Sequence, residues 1–304
     1  MHTLDIPAAK IHIKFPSELN ELKPDQFTYL VEQFLLLLNN QISLHDFKVL
    51  IASKFLKLKK NARFYALKEE AKEEIYDNIS AIAEEMDSFL TYEDECVSLK
   101  TNCTVNLLPL IGKLLGPDDV LSDCTAFEYK EAHSAFTQFV NTQNGEFLDR
   151  LIAILYRPRK KFLFFKMMKN DFNGQYRQEF TPKTNPLLLE KRIKKVAKLP
   201  YHIKFAVFLI YLGFEEFIRT GEIEVDGNQI SLADLYSNDS SESTDEKSIG
   251  LIGLFYELAE SRVFGNIDEV MNTNIYDIFC RIYQLVKMSD KLKKQLENDK
   301  SKQA

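Results

Sequence analysis

Five histidines, His2, His12, His45, His133 and His202, are the side chains of this 304-residue chain best suited to proton transfer near neutrality or to metal ligation, and their spacing suggests no joint site. The nearest acid and histidine group is Glu128, Glu131 and His133. Its last pair stands two residues apart, so on a helix those side chains leave from different faces. There is no His-Glu-x-x-His, no Gly-x-Ser-x-Gly and no Gly-x-Gly-x-x-Gly after a strand; Gly112-Lys113 lacks the glycine spacing and the following Ser or Thr of a phosphate loop. Cys96, Cys103, Cys124 and Cys280 form no Cys-x-x-Cys pair and are too scattered for a stapled secreted scaffold, so reduced, mostly buried thiols are expected. Acids are abundant, but nothing marks two of them as a paired general acid and base. The expectation is a protein that is not an enzyme, with no catalytic residue, no cofactor and no metal.

The other chemistry on offer is charge. Arg157–Lys169 (RPRKKFLFFKMMK) alternates cations with aromatics, a composition in which cations neutralise phosphates while phenylalanine faces stack on bases. Phe162, Leu163, Phe165 and Met168 equally describe a buried segment whose cations reach water. From Arg150 through Lys204 fifteen Lys or Arg face three acids, Asp171, Glu179 and Glu190, a surplus of +12; with the whole chain at −6, the remainder carries −18. Such an island implies either an internal acidic face or an external anion, and both stay open at this stage. Lys191, Arg192, Lys194, Lys195 and Lys198 lie on several faces of their helix rather than on one stripe, and the acidic overall charge argues against non-specific DNA binding.

The elements that would position these residues are mostly helical. Few Gly and Pro beside many Leu, Phe, Lys and Glu favour helices over a turn-rich β architecture, and 45% hydrophobic residues can supply a core. Lys10–Phe15 alternates as a short edge strand. Helices are predicted from Pro24 through Leu38 and from Ser43 through Phe55, paired as a hairpin, and a long third one over Arg63–Leu90. Residues 65–95 hold eleven acids and two lysines, a face for water or for the basic island. Glu95–Leu108 reads as a strand or two that could pair with Lys10–Phe15, and Gly112–Pro117 as a loop. Thr125 and Glu128 form a capping box for a helix through Val140, and Gly145 separates it from the apolar helix of Phe147, Leu148, Leu151, Ile152 and Leu155. A polar loop over Asn170–Pro186, a helix over Leu187–Leu199 and a further helix over Tyr201–Arg219 follow. Glu222–Leu232 turns at Asp226-Gly227 as a hairpin. Beyond Ser237–Ser248, Ile249–Val263 is helical, Gly265-Asn266 turns, and Asn274 caps a last helix that frays from Lys291.

The fold class expected is therefore mainly α: a multi-helix body with a small β element near the N-terminus and one short β-hairpin. The domain reading is 1–111, a strand plus three helices; 112–236, a central helical region with the basic segment and the hairpin; 237–248, a disordered loop; and 249–304, C-terminal helices packing on the central region. No signal peptide is expected, since Met1–Lys14 lacks an apolar core of adequate length, and Phe205–Leu212, the most apolar segment, is far short of the roughly 20 residues a bilayer crossing needs. A cytoplasmic protein is expected, without membrane contact.

Two stretches, Gly116–Lys160 with LIAILYRPR and Gly250–Phe279 with ELAESRVFGN leading into NIYDIF, resemble tail-region assembly proteins of bacteriophages and prophages, the group that includes tape-measure (tail assembly) chaperones. They cover about a quarter of the chain. The resemblance implies binding of a partner protein, a tail or tape-measure component, without chemistry, in the cytoplasm of a bacterial host or on the virion. The chain departs from small chaperones of that kind in its length, its N-terminal portion and its hairpin at Asp226-Gly227. The expected function is a non-enzymatic assembly or scaffold protein that binds through a helical groove. The candidate partner-binding residues are Tyr156, Arg157, Arg159, Lys160 and Lys161 at the helix break, and Phe264 and Asn266 at the later turn. The alternative is nucleic-acid binding through Arg157–Lys169 and Lys191–Lys198.

Overall fold

Helices carry most of the described chain, and its strands are short ribbons, in a computed structural model described for residues 2–6, 11–56, 79–80, 82–93, 96–161, 168, 176–180, 185–225, 227–235 and 251–303. The protein is mainly α with small β elements. It divides into two compact units, one of residues 1–108 and 199–210, the other of 109–198 and 211–304.

In the first unit, β1 (His2–Ile6) pairs antiparallel with β2 (Ile11–Phe15). Helix α1 (Pro24–Leu38) starts on Pro24, whose missing N–H is unneeded in a first turn, and ends at Asn39. Helix α2 (Leu44–Phe55) is capped by Ser43, which accepts from the Asp46 amide while the Asp46 carboxylate accepts from the Ser43 amide. The two helices meet through their apolar faces, with Phe34 and Phe47 edge to face at 6.2 Å.

The third helix does not run on to Leu90 as the sequence predicts. Ile79–Ser80 and Ile82–Ala83 are helical, but Glu84–Phe89 tightens to a 3₁₀ turn and Leu90 opens a strand; residues 57–78 lie outside the described part. Three residues per turn stack positions three apart, and this lets Glu84 and Asp87 both reach Lys48 Nζ, at 3.0 and 2.9 Å. The strand after it also pairs differently: β3 (Leu90–Glu93) joins β4 (Cys96–Leu99), and neither pairs with β2. A local hairpin closes a far shorter loop than a strand some eighty residues away. Asn20 then pins the irregular chain that follows, accepting from the Thr104 and Val105 amides.

The second unit begins with β5 (Leu110–Ile111) and β6 (Leu114–Leu115), a two-residue hairpin where the sequence suggests loop; Gly112 at φ +61 supplies the left-handed position this turn demands. Helix α3 (Ala126–Thr142) ends at Gln143 in the left-handed region, and Asn144 caps α4 (Gly145–Leu155), so Gly145 lies inside the second helix rather than between the two. Leu148 and every residue from Leu151 through Tyr156 are buried, each large apolar one contributing about 1.5–3 kcal/mol relative to exposure. From α4 the chain enters β7 (Arg157–Pro158), which pairs with β6. Helix α5 (Pro186–Val196) packs on α4; helix α6 (Tyr201–Thr220) begins in the first unit and ends in the second. The hairpin expected at Asp226-Gly227 is present as β8 (Glu222–Val225) and β9 (Asn228–Ser231), with Gly227 at φ +76.

Helix α7 (Leu251–Glu260) leads through Gly265 (φ +89) into α8 (Ile267–Asn272), a short helix the sequence shows only as a turn. Helix α9 (Ile275–Gln303) runs on through the stretch expected to fray. Its start is stitched to the start of α3: Ala126 N donates to Thr273 O, Ile275 N to Cys124 O and Tyr276 Oη to Val120 O. The segment 237–248, expected to be disordered, lies outside the described residues. Of the cysteines, Cys103 and Cys124 are buried, Cys280 is half-buried and Cys96 exposed, all as free thiols. No single described helix is long and apolar enough to cross a membrane.

Candidate functional site

The basic stretch folds its first arginine inward. Tyr156 ends α4 with both its side chain and that of Arg157 buried, and the Arg157 guanidinium, 0% exposed, donates through Nη1 to Glu128 Oε1 at 2.6 Å. Glu128, 2% exposed, thereby leaves its capping box half made. Its amide still donates to the Thr125 hydroxyl, but its carboxylate turns from the helix end to the arginine. A charge-assisted bond outweighs a return bond to one backbone N–H.

A second arginine meets the same carboxylate. Residues 176–178 run beside 158–160, with Lys160 N donating to Tyr176 O and Gln178 N to Pro158 O, and this backbone pairing delivers Arg177 to the interior, 1% exposed. Arg177 grips Asp123 side-on, Nε to Oδ2 at 2.9 Å and Nη2 to Oδ1 at 2.8 Å, while Nη1 donates to Leu155 O at 2.7 Å. Nη2 also lies 3.5 Å from Glu128 Oε2 and 3.3 Å from Cys124 Sγ. Arg192 of α5 joins electrostatically; burial first and the charge of Arg157 second hold its guanidinium down to about 10. Burial likewise lowers Arg157, whereas Arg177 is raised in spite of its desolvation because the carboxylates of Glu128 and Asp123 favour its charged form. Burial pushes the Cys124 thiol far up, so it stands in the cluster as a neutral group.

Beside this node, Pro109, Leu115, Pro117, Asp118, Asp123, Arg159, Tyr176 and Arg177 line a cleft of about 360 Å³. Asp118 is raised by burial and by the neighbouring Asp123. Further along α3, Glu215 of α6 is buried and takes bonds from Tyr129 Oη at 3.2 Å and from His133 Nδ1 at 3.0 Å. Hydrogen bonding to Glu215 raises His133 above the ordinary histidine value. Glu128 and His133 thus face different partners. Among the described residues no group of three His, Cys, Asp or Glu is arranged to hold a metal ion.

The second unit also carries a groove of about 800 Å³ between α7 and α8, lined by Tyr256, Ala259, Glu260, Arg262, Gly265, Asn266 and Ile267. Arg262 takes φ +56, a left-handed conformation that disfavours a side chain by about 1–2 kcal/mol. It closes α7, with its amide donating to Ala259 O. Asn266 caps α8 by accepting from the Asp268 and Glu269 amides, and Glu269 returns a bond to the Asn266 amide.

The candidate partner-binding residues fall into two groups. At the helix break, Tyr156 and Arg157 are buried; Arg159 is exposed at the 360 Å³ cleft; Lys160, half-buried, lies 3.9 Å from Glu179; and Lys161 is exposed. At the later turn Asn266 lines the 800 Å³ groove, with Phe264 half-buried two residues before it. Sequence reading does not single out Asp123, Arg177 or Glu215. Each acts with a partner at least fifty residues away, and no local spacing marks it. The surplus of cations in the basic stretch is the one available hint that some would turn inward to acids. Segment 162–167, the aromatic half of the basic run, lies outside the described residues. Compared with protein-family models, curated proteins and solved structures, the chain matches none.

Proposed function

We propose that this chain is a non-enzymatic assembly or scaffold protein that binds a partner protein through the groove between α7 and α8. The observation that carries the reading is the make-up of that groove: Tyr256, Ala259 and Ile267 provide apolar surface, Glu260 and Arg262 supply a charged rim, and Tyr256 is 55% exposed. An exposed tyrosine amid small and apolar neighbours is the kind of anchor on which interface energy concentrates, and a groove rimmed by both charge signs fixes the register of an amphipathic helix laid into it. The same turn belongs to one of the two stretches that resemble phage tail-region assembly proteins, so a tail or tape-measure component is the partner class proposed, met in the bacterial cytoplasm or on the particle.

The test is co-expression with the products of the neighbouring genes and co-elution of the complex. Tyr256→Ala and Arg262→Glu should each weaken it at least about tenfold, the effect of losing one interface anchor. Neighbours that encode no tail tube, tape measure or baseplate protein, or a complex indifferent to both substitutions, would overturn the reading.

A further inference from the structure

Arg157 and Arg177 present the same chemical edge to different surroundings. The Nε–H and Nη2–H of an arginine point the same way, a planar fork matched to two oxygens of one acid group. On Arg177 that edge holds both oxygens of Asp123. On Arg157 both atoms are buried and, among the described residues, neither has an acceptor. Arg192 adds a third buried donor without an acceptor, Nη1.

Charge points in the same direction as geometry. Among the described residues Glu128 is the only carboxylate bonded to Arg157, and it is also within 3.5 Å of Arg177 and acts electrostatically on Arg192. Asp123 belongs to the Arg177 side, as does Asp118 beyond it. Among the described residues the side of Arg157 and Arg192 is therefore short of one negative charge and at least two acceptor oxygens. A buried guanidinium edge left unmatched is strongly unfavourable, and one oxyanion supplies what is missing.

We infer that the Arg157 fork and Arg192 form a binding site for a single oxyanion, a carboxylate or a phosphate group. Phe180, whose ring centre lies 6.0 Å from the Arg157 guanidinium carbon, covers one face of the planar group, so the anion meets the edge. This site is separate from the α7–α8 groove and stands whether or not that groove binds a protein.

The experiment is thermal unfolding of the full chain, followed by circular dichroism because the protein has no tryptophan, in sodium phosphate, sodium acetate or sodium chloride at equal ionic strength. Phosphate or acetate should raise Tm saturably above chloride, by roughly 5 °C or more at a hundredfold excess over Kd. A response to phosphate alone identifies a phosphoryl group as the natural ligand. A response to acetate identifies a carboxylate. Arg192→Gln should weaken the saturating response at least about tenfold, the loss of one charge-assisted donor, while Lys191→Gln, at an exposed cation on the same helix, should leave it unchanged. No rise above chloride with either anion, or equal responses from the Arg192→Gln and wild-type chains, overturns the inference.

Discussion

Each unit of this protein buries a cation against two acids, and the two arrangements differ in where the acids sit. In the first unit Lys48 is buried, but its partners Glu84 and Asp87 have side chains 63% and 41% exposed. Water therefore solvates the carboxylates, and Lys48 snorkels along α2 with its apolar stem packed; bonds to Asp87 and Glu84 overcome its burial and raise it to about 12. In the second unit Arg157, Arg177 and Glu128 are all interior, with Asp123 only 10% exposed. There, among the described residues, the charges have each other, the Leu155 carbonyl and the Cys124 thiol. Similar ion-pair distances thus stand for very different energies, and burial of the carboxylates decides which.

Breaking that contrast should show first at Glu128. Glu128→Gln removes the carboxylate serving two buried arginines and is expected to destabilise the second unit by about 3–5 kcal/mol, read as lost amide-exchange protection in peptides of α3 and α4. Asp123→Asn leaves Arg177 its carbonyl and Glu128 contacts, so a smaller loss of about 1.5–3 kcal/mol is expected from denaturant unfolding. Lys48→Met, by keeping the packed stem and leaving two solvated acids, should fall within about 1 kcal/mol of wild type, with the change confined to first-unit peptides. A loss at Lys48 as large as that at Glu128 would erase the distinction.

The smallest effect belongs to His133. Its folded value is raised by Glu215, so the stability it adds is complete below the unfolded histidine value of about 6.5 and disappears as pH rises through the folded value. With its side chain 41% exposed, solvent screens the pair, and the pH slope should be shallow. His133→Gln should flatten that slope above the ordinary histidine value of about 6.5 without altering the folded baseline.

How far these features were legible in the sequence follows from the range of the interactions. The helices of α1, α2, α3 and α4 and the β8–β9 hairpin are written locally, in Pro24, Ser43, Thr125 and Asp226-Gly227 and in apolar spacing. The 3₁₀ turn over Glu84–Phe89 is not, because it is set by Lys48 thirty-six residues earlier. The Gly112 hairpin has only two residues per strand, too few for alternation to register. At the site, the surplus of cations was visible, but which of them turn inward was not: Arg157 and Arg159 are near neighbours, one buried on Glu128 and the other exposed at a cleft. The late turn at Gly265-Asn266 was readable, whereas the groove it lines needs α7 and α8 folded together.

If the partner protein is held at the α7–α8 groove, as proposed, the exposed cations of the basic break play no part in holding it. The most direct test measures complex formation with the neighbouring gene products for two variants side by side, Tyr256→Ala and the double charge reversal Lys160→Glu with Lys161→Glu, together with salt-dependent retention on DNA and RNA. Loss of the complex with Tyr256→Ala alone, and no nucleic-acid retention that depends on Lys160 and Lys161, is the predicted result. An intact complex in the tyrosine variant, with binding of protein or nucleic acid abolished by the lysine reversals, would contradict it.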